Sequence, residues 1–150
     1  MEISAVRDVF NLQAFLIGCL VLVLCLVIHA VFVLFVSVRS KKIIKDFTAE
    51  KKHLKAQLFF LIGIIILLAS HLLQIYIWGL ALYLFEIIKN EHEAMVYAGS
   101  TYTTVGFVSD PLPMQWQLLS VIMAVSGLFA FGWSTAIMLI LSQALVPSEK

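Results

Sequence analysis

Three apolar runs leave this chain little choice of solvent. Leu12 to Val38 is almost unbroken in hydrophobicity, a second run extends from about Ala56 to Ile88, and a third from about Trp116 to Leu145. A helix rises about 1.5 Å per residue and the hydrocarbon core of a bilayer is about 30 Å thick, so each run can cross. One small soluble core could not hide them. Apolar residues make up 62% of the 150-residue chain and charged residues only 13%, against roughly half and a quarter in ordinary globular domains. The expected fold class is an all-α membrane protein with three transmembrane helices.

Charge sets the expected topology. Arg39, Lys41, Lys42, Lys45, Lys51, Lys52 and Lys55 crowd the segment between the first two runs, against Asp46 and Glu50. Such a cluster between hydrophobic spans obeys the positive-inside bias, and it places loop 39–55 in the cytoplasm beside anionic headgroups. Aromatics are nearly absent from it and net charge is only +1, so no nucleic-acid partner is expected. The first run is longer than a secretory core and its positive charge follows it, so residues 1–38 read as a retained anchor helix with its N-terminus outside. Segment 89–115 then lies outside and the C-terminus inside. Cys19 and Cys25 fall within the first run and share no face well; no disulfide or zinc spacing is visible.

Segment 89–115 is the one polar stretch besides the basic loop. Asn90 can cap a helix, with Glu91 and Glu93 complementing its positive dipole end. That helix is expected over 90–102, with its C-terminal carbonyls aimed at Thr103-Thr104-Val105-Gly106-Phe107. Its negative dipole end would face a cation. Pro111 and Pro113 stop regular structure and return the chain to the third span.

Between two spans and on the outer face, this order of elements resembles the two-helix pore module of the potassium-channel superfamily, closest to small bacterial ion channels. Thr103-Thr104-Val105-Gly106-Phe107 is similar to the selectivity filter. Ser126-Gly127-Leu128-Phe129-Ala130-Phe131-Gly132-Trp133-Ser134-Thr135-Ala136 is similar to a hinge-bearing inner helix. His71-Leu72-Leu73-Gln74-Ile75-Tyr76-Ile77-Trp78 resembles an outer-helix pattern in which an acidic residue often stands at Gln74. The resemblance covers residues 56–150 and leaves the leading helix outside it. It implies an outer helix 56–88, a re-entrant pore helix 90–102, a filter 103–110 and an inner helix 114–145. Four copies in a bacterial inner membrane would surround one axis. Potassium would bind backbone carbonyls of Thr104, Val105, Gly106 and Phe107, which replace its hydration shell, with the Thr104 hydroxyl as the innermost ring. No organic cofactor is implied; the permeant ions would be potassium and, through a loosened filter, sodium.

The pattern departs from the family after Phe107. Val108 stands where a second glycine belongs, and a β-branched residue at φ > 0 costs about 1–2 kcal/mol. The expectation is an outer filter that flips or widens, with reduced selectivity. Ser109 acts as an insertion that displaces Asp110, the residue that would brace the filter. Tyr97 and Tyr102 either brace it instead or simply pack.

Other residues carry two readings. Gly127 is a hinge by resemblance or a small residue for close packing; packing is favoured for Gly132. Leu128, Phe131, Thr135 and Leu139 follow helical spacing toward a cavity, with Leu139 and Gln143 at its cytoplasmic end as gate candidates, or they pack. His71, Gln74 and Trp78 share a face, as a polar seam against the pore helix or leading helix, or as a proton sensor at His71, with His29 as a partner. Glu86, Glu91 and Glu93 ring an outer mouth or are merely solvated. No Ser-His-Asp set, catalytic carboxylate pair or phosphate loop is visible, so no enzyme is expected. The reading is a tetrameric cation channel; the alternative is a non-conducting assembly or regulatory subunit that retains the fold.

Overall fold

A computed structural model describes residues 11–108 and 112–146. Among them every regular element is helical and no strand occurs. Helix α1 spans Leu12–Ala49, α2 His53–Leu84, α3 Glu91–Tyr102 and α4 Leu118–Gln143, with one 3₁₀ turn over Met114–Trp116 before α4. Three segments, Leu12–Ala49, His53–Leu84 and Met114–Gln143, are long and apolar enough to cross a membrane, with peak mean hydropathies of 3.2, 2.5 and 1.9. Their apolar surface is mostly outward. Along α1, Leu16, Leu20, Val27, Val31, Leu34 and Val38 recur at helical spacing and are each more than half exposed. A continuous stripe of this kind suits lipid and no aqueous surface.

Helix α1 runs on through residues 39–49, beyond the expected span. The reason is a stripe within the charged segment: Ser40, Ile44 and Thr48, spaced four apart, are all buried. The Thr48 hydroxyl donates to the Ile44 carbonyl at 2.8 Å and lies 3.3 Å from the Ala144 carbonyl. The lysines point away from that stripe and stay exposed. Beyond it, the Glu50 carboxylate pairs with Lys52 at 2.6 Å on the surface, and the Lys52 hydrogen bond holds that carboxyl below its ordinary range.

Both α1 and α2 end in left-handed caps. Lys51 has φ 58 and Glu86 φ 54. Lys52 N–H donates to Phe47 O at 2.8 Å, and Ile87 N–H to Leu82 O at 3.0 Å, closing the last turn in each case. Glycine usually takes this position, so sequence carries no stop signal at either place, and α2 ends four residues short of the expected Ile88. At the other ends, Asn11 Oδ1 accepts from Gln13 N–H at 2.9 Å and caps α1. Asn90 Oδ1 accepts from Glu93 N–H at 3.1 Å and caps α3.

The residues pack as two units. The first combines α1 up to Val27 with Leu73–Phe129. Its core holds Val21, Trp78, Leu82, Tyr97, Tyr102, Leu119 and Met123. A Cβ on Gly18 of α1 would stand only 2.7 Å from Ile122 and 2.9 Å from Leu119 of α4, and Gly79 of α2 lies directly on Met95 of α3. Glycine here lets helices approach closely where lipid supplies no hydrophobic drive. The second unit combines Ile28–Leu72 with the chain from Ala130. Val33, Val36, Ile44, Leu67, Ile137 and Leu141 form its core.

The exposed stripe of α1 generates a test. Leu24 lies near the centre of the first span, and Leu24→Lys should cost about 2.5–3.5 kcal/mol of insertion free energy. A glycosylation-mapping assay of α1 insertion reads this; unchanged insertion would show that α1 does not face lipid there.

Candidate functional site

The first unit places α3, the loop that follows it and α4 in one assembly. Tyr97 and Ser120 hydroxyls meet at 2.6 Å, tying α3 to the start of α4. At the C-terminal end of α3, the Tyr102 backbone carbonyl lies against Gly127 so closely that a Cβ there would overlap it; the Tyr102 ring stands 3.2 Å from the same point. Both tyrosines are buried. They fasten the middle and the C-terminal end of α3 to α4. Gly127 is therefore a contact that only glycine permits. Around Gly132 nothing lies within 4 Å.

The loop grows out of the last turn of α3. Thr103 closes the helix, with φ −82 and ψ −3, its N–H directed to Gly99 O and Thr101 O. Its hydroxyl donates to Gly99 O at 2.7 Å. The chain then folds back on Ser100. Gly106 N–H donates to Ser100 O at 3.2 Å, and Val108 N–H reaches Ser100 Oγ at 3.4 Å. Ser100 is a loop anchor that sequence reasoning missed; its signal was a small polar residue in the final turn of a helix that must hold a loop.

Backbone strain concentrates here. Thr104 has φ 59 and Gly106 φ 65, whereas Val105, Phe107 and Val108 stay at negative φ. A β-branched residue in the left-handed region is a costly outlier, of the kind that gathers at functional sites. The left-handed strain in this loop is borne by Thr104. Thr104, Val105, Gly106 and Phe107 are all exposed, Val105 at 66% and Phe107 at 69%. Ser109 and Asp110 lie outside the described residues.

On α4, Leu128, Thr135, Leu139 and Gln143 form one exposed face, with the Thr135 hydroxyl donating to Phe131 O at 2.8 Å. Glu86, Glu91 and Glu93 are exposed. Of the expected seam, His71, Gln74 and Trp78 are all buried. In the first unit, Trp78 N–H points to Ser126 Oγ of α4 at 3.5 Å.

The second unit holds a separate polar cluster. His71 Nε2 lies 3.0 Å from Ser134 Oγ of α4, and the same oxygen lies 3.2 Å from His29 Nε2 of α1. His29 Nδ1 lies 3.0 Å from Ser70 Oγ. The two imidazoles are 5.1 Å apart. His71 also stacks on Phe131, 4.3 Å between centroids and 22° between planes. At His71 the cluster joins the leading helix and α4 through Ser134, a serine that sequence reasoning overlooked. Among the described residues no group of three His, Cys, Asp or Glu could hold a metal ion.

Comparison with protein-family models, curated proteins and solved structures finds no match to this chain.

The two inner-helix glycines separate packing from helix propensity. Gly127→Ala should push α3 from α4 and lower thermal stability by about 1–3 kcal/mol, the usual overpacking cost. Gly132→Ala meets open space and should leave stability unchanged within about 1 kcal/mol. Unfolding in detergent compares them; equal effects would remove the special role of the Tyr102 contact.

Proposed function

We propose that the chain assembles as a homotetrameric cation channel, conducting potassium through a filter of backbone carbonyls in a bacterial cytoplasmic membrane. Helix α3 is the re-entrant pore helix, residues 103–110 the filter, α2 the outer helix and α4 the cavity-lining helix. The N-terminus is outside and the C-terminus is cytoplasmic.

One observation carries this reading: φ alternates in sign along Thr104, Val105, Gly106 and Phe107, directly at the carbonyl end of a capped helix. In an extended strand successive carbonyls point to opposite sides. Alternation between left- and right-handed φ lets them face one side, the requirement for replacing a hydration shell. The C-terminal end of α3 supplies a partial negative charge toward the same place. One chain cannot complete a ring of oxygens. Irregular backbone at membrane depth is tolerated only when buried in protein or lining water. Three further copies would cover the exposed Val105 and Phe107 side chains and the open face of α4.

The mechanism follows from these parts. A hydrated cation enters the cavity, exchanges water for the Thr104 hydroxyl and the carbonyls of Thr104, Val105, Gly106 and Phe107, and leaves by displacement from the next ion. Val108 stays out of the left-handed region, so the outermost oxygen cage differs from that of a filter with a second glycine. Fewer well-formed cages in series should weaken discrimination against sodium.

Purified protein in potassium-loaded vesicles should show tetrameric mass and potassium flux. Gly106→Ala should abolish that flux. A Cβ there meets nothing within 4 Å, so its effect is on φ rather than packing, and the fold should survive at a cost of about 1 kcal/mol. Flux unchanged in this variant, or a monomer as the sole species, would end the reading. A folded tetramer without flux would instead be a non-conducting assembly.

Replacing Val108-Ser109 by a single glycine should raise potassium-over-sodium selectivity. Bi-ionic reversal potentials measure it. Strong discrimination in the native chain, unaltered by the replacement, would refute this account of the outer filter.

A further inference from the structure

The polar cluster of the second unit takes no part in the permeation steps proposed above, and the hydrogens along its contacts can be argued one by one. The Ser70 hydroxyl donates to the Leu67 carbonyl at 2.7 Å. A hydroxyl has one proton, so toward His29 Nδ1, 3.0 Å away, the Ser70 oxygen can only accept, and Nδ1 carries hydrogen. A neutral His29 then presents a lone pair at Nε2. It takes the proton of Ser134, 3.2 Å away. Ser134 can in turn only accept from His71 Nε2–H, at 3.0 Å. These contacts fit one neutral arrangement, running from His71 to Ser134 to His29 to Ser70 to the Leu67 carbonyl.

We propose that His29 and His71, bridged by Ser134, form a single proton-binding site whose occupancy regulates the channel. The regulatory clause rests on the channel reading; the site itself does not. The chain of hydrogen bonds ends on a backbone carbonyl, which accepts a hydrogen bond but passes no proton onward. The cluster therefore stores a proton rather than conducting one. An added proton leaves His29 with hydrogens on both nitrogens, and Ser134 must turn from donor to acceptor toward it. The Ala130 backbone, also within hydrogen-bonding reach of the His29 ring, offers a second acceptor. The site takes one proton because a second would set two cations about 5 Å apart in a low-dielectric interior.

On α1, residues 28–38 contain no Asp, Glu, Lys or Arg; neither do residues 56–72 of α2 or 130–146 of α4. Arg39 follows His29 by ten residues, about 15 Å along the helix. Ionisable side chains inside a span are rare and commonly functional. The proton state reaches α4 twice, through Ser134 and through Phe131 stacked on His71. The neutral chain ties α1, α2 and α4 together. An uncompensated charge loosens that tie, so acid should raise flux.

Histidine ¹⁵N solid-state NMR on the full chain in lipid vesicles tests the site between about pH 8 and 4. At the alkaline end His29 should be the Nδ1–H tautomer and His71 the Nε2–H tautomer. On acidification the two rings should gain one proton between them. Ser134→Ala should abolish the tautomer preference of His71 and uncouple the pair; Ser134→Thr, which keeps the hydroxyl, should restore both and guards against a mere folding defect. His29 as Nε2–H at high pH, two independent titrations, or no effect of Ser134→Ala would overturn the site. Flux in the same vesicles tests regulation: at least a several-fold rise in acid, lost in Ser134→Ala, is expected, and pH-independent flux would refute it. Gly106→Ala should keep the NMR titration even without flux, so failure of the channel reading is distinguishable from failure of the site.

Discussion

Hydrocarbon offers a polar group no water, and the rest of this structure depends on that constraint. Backbone N–H and C=O groups must be satisfied within the segment, which makes each apolar run a helix. The same constraint governs the few polar side chains inside the spans. Ser70, His71, Ser134 and His29 are buried and meet one another. Ser126 meets Trp78, and Ser120 meets Tyr97. With no hydrophobic drive between helices in lipid, such pairs and the glycine contacts at Gly18, Gly79 and Gly127 decide which faces come together.

The short helix α3 shows how local and tertiary effects combine. Asn90 and the two glutamates set where it starts. Its end is set by Thr103 and by the return of the loop to Ser100. The approach of the Tyr102 carbonyl to Gly127 then holds that end against α4. A strained Thr104 survives because the backbone on both sides of it is fastened, by hydrogen bonds from Thr103 and Gly106 to the last turn of α3. In the proposed channel this fastening keeps the carbonyls arranged before an ion arrives, so that ion binding requires little reorganisation.

The two candidate sites use different chemistry. The loop after α3 offers backbone oxygens and a helix dipole, suited to a hard monovalent cation. The histidine pair offers imidazole nitrogens and hydroxyls on helix segments that carry no Asp, Glu, Lys or Arg, suited to a proton. The stacking of His71 on Phe131 gives the second site a physical route to α4, the helix that the channel reading assigns to the cavity.

The spans, their helical nature and the cap of α3 were determined by sequence alone, because length, hydropathy and Asn90 act locally. A positive φ at Gly106 was legible for the same reason: glycine takes that conformation without strain. The ends of α1 and α2 were not, since Lys51 and Glu86 take a conformation usually left to glycine, and the buried stripe of Ser40, Ile44 and Thr48 prolongs α1 through a segment whose charge suggested a loop. Nor could sequence say that Thr104 takes a left-handed conformation, in a loop whose Gly106 and Val108 N–H groups return to Ser100. The serines of α4 were individually visible, but a lone serine on an apolar helix names no partner. Only the packing of α1, α2 and α4 brings Ser134 between two histidines 42 residues apart in the chain, because in lipid a polar side chain must find its partner across space rather than along the sequence.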